Sequence, residues 1–317
     1  MNTRRKFIQK TLLAAAATSL PQTAMKATSY LSKSSAASEP KISLAQWSLH
    51  RALENGVIKA TDFAKIAKND FAIDAVEYVN QFYVDMAKSE KFWAQMKDRA
   101  EGEGVKSLLI MVDNEGDLGN PNENERTKTI ENHYKWIHAA KILGCHSIRV
   151  NAFGDGDRAS LKTSLIDGLG NLAAYGAKEE INVIVENHGL HTSDGNFMAG
   201  IVKEVNNSFL GTLPDFGNWC LNAKWGSTQN NRCDEVYDRY QGVADFLPFA
   251  KGVSAKSYAF DSDGNETIID YHKLLKIVKD FGFEGYIGVE FEGEHMSEPA
   301  GIKATKKLIH KVWKELG

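Results

Sequence analysis

Eight short apolar segments of strand type recur along the chain at regular intervals. They cover residues 42–47, 75–79, 107–112, 147–151, 182–186, 211–215, 252–256 and 286–290. Their starting positions are separated by about 35 residues on average, which is the length of one strand, a loop, a helix and the return to the next strand. The pattern therefore predicts eight strand–helix units.

Apolar residues at helical spacing fill the intervals between these segments. Ile130, Tyr134 and Ile137 recur at this spacing, and Gly144 follows at a position that would end the helix. Strands that are hydrophobic along their whole length and alternate with helices form parallel sheets covered by helices. Eight such units predict a single (β/α)8 TIM barrel. An open doubly wound sheet is the alternative, but no G-x-G-x-x-G motif follows the first strand.

The loops on the two sides of the predicted helices differ in length. The helix-to-strand returns are short, whereas four strand-to-helix loops are long and polar, at residues 113–122, 187–196, 216–232 and 257–266. In a barrel all the long loops lie at the carboxyl end of the strands, where active sites are built. We therefore expect the functional site at that end.

The first 39 residues have a different composition from the rest. Arg4, Arg5 and Lys6 precede a modest apolar run, at residues 12–20, that is too short to span a bilayer. This arrangement resembles a twin-arginine export signal. We expect residues 1–39 to be an export signal with a linker, residues 40–317 to form the barrel, and the mature protein to be periplasmic.

The charge balance argues against a nucleic-acid partner. The 317 residues carry a formal net charge of −3, and removal of residues 1–30 leaves 33 basic against 41 acidic residues, a net charge of −8. Nucleic-acid-binding domains are usually basic. No second hydrophobic segment of membrane length is present in the sequence. We expect no nucleic-acid partner and no stable membrane anchor after cleavage of the leader.

The chain has three cysteines, Cys145, Cys220 and Cys233. They form neither a C-x-x-C metal motif nor a disulfide framework. Cys220 and Cys233 are close enough in sequence to form a bridge, but free thiols are the favoured interpretation.

Carboxylates follow three of the predicted strands. Glu186, Asp215 and Glu290 each come directly after strongly apolar residues, so each is expected to be at least partly buried. Converging carboxylates in a dry cleft repel one another, and a divalent cation relieves that repulsion. Ligation by oxygen alone suits Mg²⁺, Mn²⁺ or Ca²⁺ better than Zn²⁺. The alternative is that each acid forms its own salt bridge, for example with Arg149 or Lys256.

Several motifs resemble a known family. They are Val-Glu-Asn-His-Gly at 185–189, Pro-Asp-Phe-Gly-Asn at 214–218, Gly-Val-Glu-Phe-Glu-Gly at 288–293, and the first two strand segments at 43–49 and 75–77. Over residues 41–316 the chain is similar to the sugar phosphate isomerase/epimerase superfamily, the xylose-isomerase-like TIM barrels. The motifs are specific for the superfamily and poorly specific for the substrate.

The resemblance implies that Glu186, Asp215 and Glu290 are metal ligands. The family's fourth ligand is typically a His on the seventh strand, where this chain has Ser254, while the family's Lys is kept as Lys256. Lys256 would either offset the surplus negative charge or act as a base with a depressed pKa. The family's His three residues beyond the strand-six Asp is Asn218 here.

The resemblance also implies the chemistry. A metal-bound sugar would lose the proton next to its carbonyl, with Glu186 and Glu290 on opposite faces of the substrate, giving isomerisation or epimerisation. Loss of a β-substituent from the same enolate would make the protein a lyase acting on keto-sugars or keto-glycosides. Because phosphorylated sugars are scarce outside the cytoplasm, we expect an unphosphorylated carbohydrate. The candidate substrate-binding residues are His188, Trp47, Asn218, Trp219 and Arg149.

Two other classes share this barrel. Apurinic-site endonucleases use a His-rich zinc site and a basic surface, neither of which the sequence supplies. A non-catalytic sugar-binding barrel, whose metal site decayed when the seventh-strand His was lost, is the other alternative.

Overall fold

A computed structural model describes residues 39–229 and 233–317. The predicted export signal therefore lies, apart from Glu39, outside the described residues. Eight strands alternate with helices. The strands are β1 Lys41–Ala45, β2 Ala75–Val79, β3 Lys106–Val112, β4 Ser147–Val150, β5 Asn182–Glu186, β6 Leu210–Leu213, β7 Val253–Ser257 and β8 Tyr286–Phe291.

All eight strands are parallel, in the order β6-β5-β4-β3-β2-β1-β8-β7. The two ends of this curved sheet meet through parallel bridges that pair Thr212 with Ala250 and Asp215 with Ser254. The Phe216 amide donates to the Ser254 carbonyl at 3.0 Å across the same seam. The predicted single (β/α)8 barrel is confirmed.

The α-helices are α1 His50–Glu54, α2 Phe63–Phe71, α3 Glu90–Gly102, α4 Glu123–Leu143, α5 Arg158–Glu179, α6 Gly195–Val205, α7 Arg239–Phe246, α8 Tyr271–Asp280 and α9 Glu298–Glu315. Short 3₁₀ helices occupy Gln46–Leu49, Ala60–Asp62, Asn80–Met86, Leu190–Ser193 and Leu247–Phe249. The Asn122 side chain caps α4 by accepting from the amides of Asn124 and Glu125. Gly144 ends α4 in the left-handed conformation (φ +84°), as predicted. Within the described residues no helix is long and apolar enough to cross a membrane.

Alternation along the strands divides their side chains between two environments. Residues such as Leu44, Ile148 and Val253 pack with the helices in the main core. Their neighbours on the opposite face of the sheet, such as Ala45 and Ile184, form a second apolar cluster. Because the sheet is closed, that second face is the barrel interior. The interior side chains become polar toward the carboxyl ends of the strands, which is where the site lies.

The expectation of free thiols is wrong for two of the three cysteines. Cys220 and Cys233 form a disulfide, with a Cα–Cα distance of 5.7 Å, whereas Cys145 is free and buried. The chain after β6 folds back on itself, so that Leu221 donates from its amide to the Glu235 carbonyl at 2.8 Å. This antiparallel return brings the two thiols together, and sequence spacing alone does not predict it.

Candidate active site in the barrel mouth

Three carboxylates meet at the carboxyl end of the barrel. Glu186 ends β5, Asp215 follows β6 and Glu290 lies in β8, and all three are at most 4% exposed. One oxygen from each lies within 4.8 Å of the others, which makes this the one acidic group among the described residues that is close enough to share a metal ion. The predicted convergence is therefore present in the structure.

The end of β6 is held in place by hydrogen bonds that fix Asp215. Its Oδ1 accepts from the amides of Gly217 and Asn218, each at 2.8 Å. Its own amide donates to Asn187 Oδ1 at 2.7 Å, and Asn187 Nδ2 donates back to the Asp215 carbonyl. Asn187 thus fixes Asp215 relative to β5, next to Glu186.

Two buried cations contact the carboxylates. Arg149 Nε lies 2.8 Å from Glu186 Oε2, and the same guanidinium donates to Asp113 Oδ1 at 2.6 Å. Lys256 Nζ lies 3.0 Å from Glu290 Oε1 and 2.7 Å from Glu292 Oε1. Both cations therefore form salt bridges with the acids. Such salt bridges are what the alternative to a shared metal ion predicts.

The two cations leave an acidic surplus. They face five carboxylates, on Asp113, Glu186, Asp215, Glu290 and Glu292. Buried negative charge without compensation is costly, so the site needs further positive charge, as protons or as a metal ion. The salt bridges therefore do not exclude a cation site here.

Ser254 shows where that positive charge is needed. Its hydroxyl oxygen lies 2.6 Å from Asp215 Oδ2 and also 2.6 Å from Glu290 Oε2. A hydroxyl has one proton and can donate to one of these oxygens only, so the other carboxyl must carry a proton. A divalent ion bound between the carboxylates would replace that proton. The all-oxygen donor set therefore fits a hard divalent cation.

The pKa values in the cluster differ in direction. Burial, the largest cause, raises the pKa of Glu186 to about 7 and raises the pKa of Asp215 well above its usual range. Burial also opposes ionisation of Glu290, but Lys256 and the Ser254 hydrogen bond outweigh it and lower the pKa of Glu290. The carboxyl proton that the two Ser254 contacts require therefore lies on Asp215.

The charge of Lys256 bears on its two alternative roles. Burial disfavours this charge, but the carboxylates of Asp215, Glu290 and Glu292 more than compensate, so in the metal-free site the pKa of Lys256 is raised well above 10.5. This direction favours the first alternative, in which Lys256 is an ammonium that offsets negative charge.

A hydrogen-bond chain fixes the tautomer of His188. Asn151 Nδ2 donates to Asp113 Oδ1 at 2.6 Å, so Asn151 Oδ1 is the atom that faces His188 Nδ1, at 2.7 Å. His188 must then carry its proton on Nδ1. Burial, followed by the Arg149 charge, lowers the pKa of His188 to about 3, so the ring is neutral and its Nε2 is an acceptor.

A cavity of about 340 Å³ opens onto this cluster. Its lining residues are Trp47, Val79, Gln81, Met111, Asp113, Asn114, Arg149, His188, Trp225, Ser227, Glu290 and Glu292. Arg149 in β4 and Glu290 in β8 are at most 4% exposed, whereas Trp225, in the loop after β6, is 41% exposed. This combination is typical of sites for small polar ligands.

The predicted site residues fall into two groups. Glu186, Asp215 and Lys256 are not among the lining residues of the cavity, whereas Trp47, Arg149, His188 and Glu290 line it. Asn218 does not, because it is 1% exposed and donates from Nδ2 to Glu186 Oε1 at 3.2 Å. Its expected contact with substrate is replaced by a contact that orients Glu186.

The prediction that Trp219 binds the substrate is wrong. Its ring is fully buried and packs edge-on against Phe246, with ring centroids 5.7 Å apart, and against the backbone of Gly242. A Cβ on Gly242 would lie 2.2 Å from that ring. The aromatic that reaches the cavity from the same loop is Trp225, six residues further on.

Eight of the twelve lining residues were not predicted from the sequence, Glu292 and Trp225 among them. Glu292 is two residues beyond Glu290, so strand alternation would have placed it on the same face. Trp225 lies in an irregular loop, where no periodic signal marks which aromatic points inward.

The chain resembles solved structures of this architecture. It matches 3-keto-D-glucoside 4-epimerase from E. coli (14% identity, 86% of this chain and 100% of that chain, TM-score 0.63). It also matches a xylose isomerase-like TIM barrel protein from Mycobacterium smegmatis in complex with magnesium (14%, 88% and 98%, 0.61), and a D-tagatose 3-epimerase-like protein (18%, 87% and 98%, 0.63). At these identities the likeness shows the fold alone.

No curated protein sequence gives a significant match to the chain. The family described as xylose isomerase-like TIM barrel matches residues 63–312, which is most of the barrel. The resemblance seen in the strand-end motifs is confirmed by this match. The chain belongs to the xylose isomerase-like TIM barrel family.

Proposed function

We propose that this protein is a divalent-metal-dependent isomerase or epimerase that removes and returns the proton next to a carbonyl of an unphosphorylated sugar or keto-glycoside. The observation that carries the proposal is the convergence of three buried carboxylates, with oxygens within 4.8 Å of one another. One of them, Glu290, lines a cavity of about 340 Å³ that could hold a sugar. The epimerases among the similar structures support the same class.

Glu186, Asp215 and Glu290 would hold the ion, and their oxygen donors favour Mn²⁺ or Mg²⁺. A bound ion supplies Lewis acidity, which polarises the sugar carbonyl and makes the neighbouring proton more acidic. A similar structure contains magnesium, which supports this assignment. Ser254 would leave a coordination position to water, because a neutral hydroxyl is a weak ligand.

The chain's own groups have the properties that proton transfer needs. In the metal-free site burial raises the pKa of Glu186 to about 7; with the ion bound, Glu186 would be ionised and would accept the proton on one face of the sugar. Glu290, in β8, would act on the other face of the sugar. Lys256 holds Glu290 and Glu292 in place as a fixed positive charge. Neutral His188 would accept a hydrogen bond from a substrate hydroxyl at Nε2.

The lining of the cavity supports an unphosphorylated substrate. Among the described lining residues Arg149 is the one cation, and it already pairs with Asp113 and Glu186. A phosphate would need a cation or a set of backbone amides that is free to bind it.

Export to the periplasm is part of the proposal. The basic and apolar leader supports it, and so does the disulfide between Cys220 and Cys233, because disulfides persist in oxidising compartments. Replacing Arg4 and Arg5 by Lys should retain the protein in the cytoplasmic fraction. Unchanged export of this variant would argue against a twin-arginine signal.

The test is exchange of solvent deuterium. The mature protein is incubated in D₂O with Mn²⁺ or Mg²⁺ and a panel of ketoses and 3-keto-glycosides, and the products are examined by NMR. We expect label at the carbon beside the carbonyl, abolished by EDTA and by Glu186→Gln or Glu290→Gln. The control variant is Glu115→Gln, since Glu115 accepts from Lys135 and Trp136 away from the cavity.

The outcomes separate the alternatives. Label without loss of a substituent supports an isomerase or epimerase, whereas loss of the β-substituent together with label identifies a lyase. Exchange that survives metal removal contradicts the metal requirement. An unlabelled panel with intact bound metal argues for a sugar-binding barrel.

A further inference from the structure

Trp225 is a large aromatic side chain at the opening of the cavity. It is 41% exposed and lines the cavity together with Trp47, whereas the carboxylates of Glu186, Asp215 and Glu290 belong to residues at most 4% exposed. An indole at such an opening presents a large apolar face to a ligand in the cavity. The proposed reacting carboxylates are therefore buried, whereas the indole of Trp225 is accessible to solvent.

The backbone at Trp225 is strained. Its φ is +70°, a left-handed conformation that bulky residues rarely adopt. Such strain persists when the surroundings enforce it, and it concentrates at functional sites. The turn that carries Trp225 is pinned to the loop after β5. The Leu190 amide donates to the Ala223 carbonyl at 3.2 Å, and a Cβ on Gly189 would lie 2.7 Å from the Trp225 amide nitrogen.

The ring itself is fixed by aromatic contacts. It packs edge-on against His188, with ring centroids 4.9 Å apart, and edge-on against Phe153 at 5.7 Å. Lys224 Nζ lies 4.7 Å from the Phe153 ring centroid and 5.4 Å from that of Trp225. Trp225 is thus held next to the group that we expect to bind a substrate hydroxyl, with a large part of its surface still open.

We propose that Trp225 forms a subsite for a second ring, so that the substrate is a glycoside whose aglycone or second sugar stacks on the indole while the reacting sugar lies on the carboxylates. This inference rests on the proposed function and specifies its substrate class. The apolar C–H face of a sugar, or an aromatic aglycone, complements the electron-rich face of an indole. The disulfide between Cys220 and Cys233 restrains the segment that carries Trp225.

The test measures binding, independently of turnover, by isothermal titration calorimetry on the Mn²⁺-loaded protein. The probes are both anomers of the methyl and p-nitrophenyl glycosides of glucose, galactose and xylose, with cellobiose, maltose and lactose. The p-nitrophenyl glycosides report an aromatic aglycone, and the disaccharides report a second sugar ring. The variants are Trp225→Ala, Trp225→Phe and the control Phe281→Ala, because Phe281 is 50% exposed at the end of α8.

We expect the wild type to bind at least one two-ring probe about tenfold more tightly than the matching methyl glycoside, as one stacked aromatic pair allows. Trp225→Ala should reduce this preference to about twofold while leaving methyl glycosides unaffected, and Trp225→Phe should keep most of it. Phe281→Ala should change nothing.

Absence of any preference in the wild type, including absence of binding, would overturn the proposal, and so would a preference that survives in Trp225→Ala. A Trp225-dependent preference without deuterium exchange would support the subsite and contradict the proposed chemistry.

Discussion

Replacing Lys256 by Met would test how the site balances its charge. The ammonium is 1% exposed and lies 2.7 Å from Glu292, 3.0 Å from Glu290 and 3.8 Å from Asp215. Removing one partner of a buried ion pair costs about 3–5 kcal/mol, because the other charge stays buried without compensation. Met has a similar length and fills the space, so the loss would report charge rather than a cavity.

The expected loss in the metal-free protein is a fall in Tm of about 10 °C, since 1 kcal/mol corresponds to about 2–4 °C in a domain of this size. Differential scanning fluorimetry would measure it at pH 7. The control is Lys141→Met, which removes an exposed ion pair to Glu179 (2.8 Å) and should leave the Tm almost unchanged, because solvent screens the two charges.

The pH dependence of this loss has a definite sign. Lys256 helps to lower the pKa of Glu290 below its usual 4.5, and the stability gained from a depressed carboxyl pKa is present above that value and is lost as the pH falls through the folded pKa. The gap between wild type and Lys256→Met should therefore be widest near neutral pH and should narrow below pH of about 4.5. Mn²⁺ should raise the Tm of the variant more than that of the wild type, because the ammonium no longer opposes the ion. A variant that melts within about 2 °C of wild type at pH 7 would refute the charge balance described here.

Three further changes have expected outcomes. Glu77 is 2% exposed, and burial raises its pKa to about 7. Its ionisation should therefore lower the free energy of unfolding of the wild type by up to about 3 kcal/mol as the pH rises from 4.5 through 7. Glu77→Gln should remove this loss in urea denaturation at pH 5.5 and 8, and an equal pH dependence of stability in variant and wild type would contradict it. Ser254→His should tighten Mn²⁺ binding by about tenfold in calorimetry, because an imidazole is a better ligand than a hydroxyl; weaker binding would place the ion elsewhere. Replacing Cys220 and Cys233 by Ala should lower the free energy of unfolding by about 2–4 kcal/mol, since the bridge closes a loop between residues 13 apart, and an unchanged denaturation midpoint would show that the loop is ordered without it.

The barrel and its acidic floor could be predicted because both follow from periodicity. A strand period of two residues and the rule that parallel strands end at one face place Glu186, Asp215 and Glu290 in the same region. The register of β7 and β8, which pairs Lys256 with Glu290, then fixes which cation neutralises which acid. The convergence of the three acids could be predicted as long as the number and spacing of the strands were correct.

The remainder of the site depends on irregular loops and on burial. Between β6 and α7 the chain has no period, so nothing in the sequence distinguished the buried Trp219 from the exposed Trp225, or paired Cys220 with Cys233. The protonation states of the site residues could not be predicted from the sequence either. They depend on individual distances, such as the two 2.6 Å contacts of Ser254.

The central claim is that Glu186, Asp215 and Glu290 hold one divalent ion despite the ammonium of Lys256 beside them. Anomalous diffraction from crystals soaked in Mn²⁺ tests it directly. The account predicts a single strong peak bounded by oxygens of these three side chains, with Lys256 Nζ still paired to Glu292. A map with no peak there, or with manganese bound only at surface carboxylates, would contradict it.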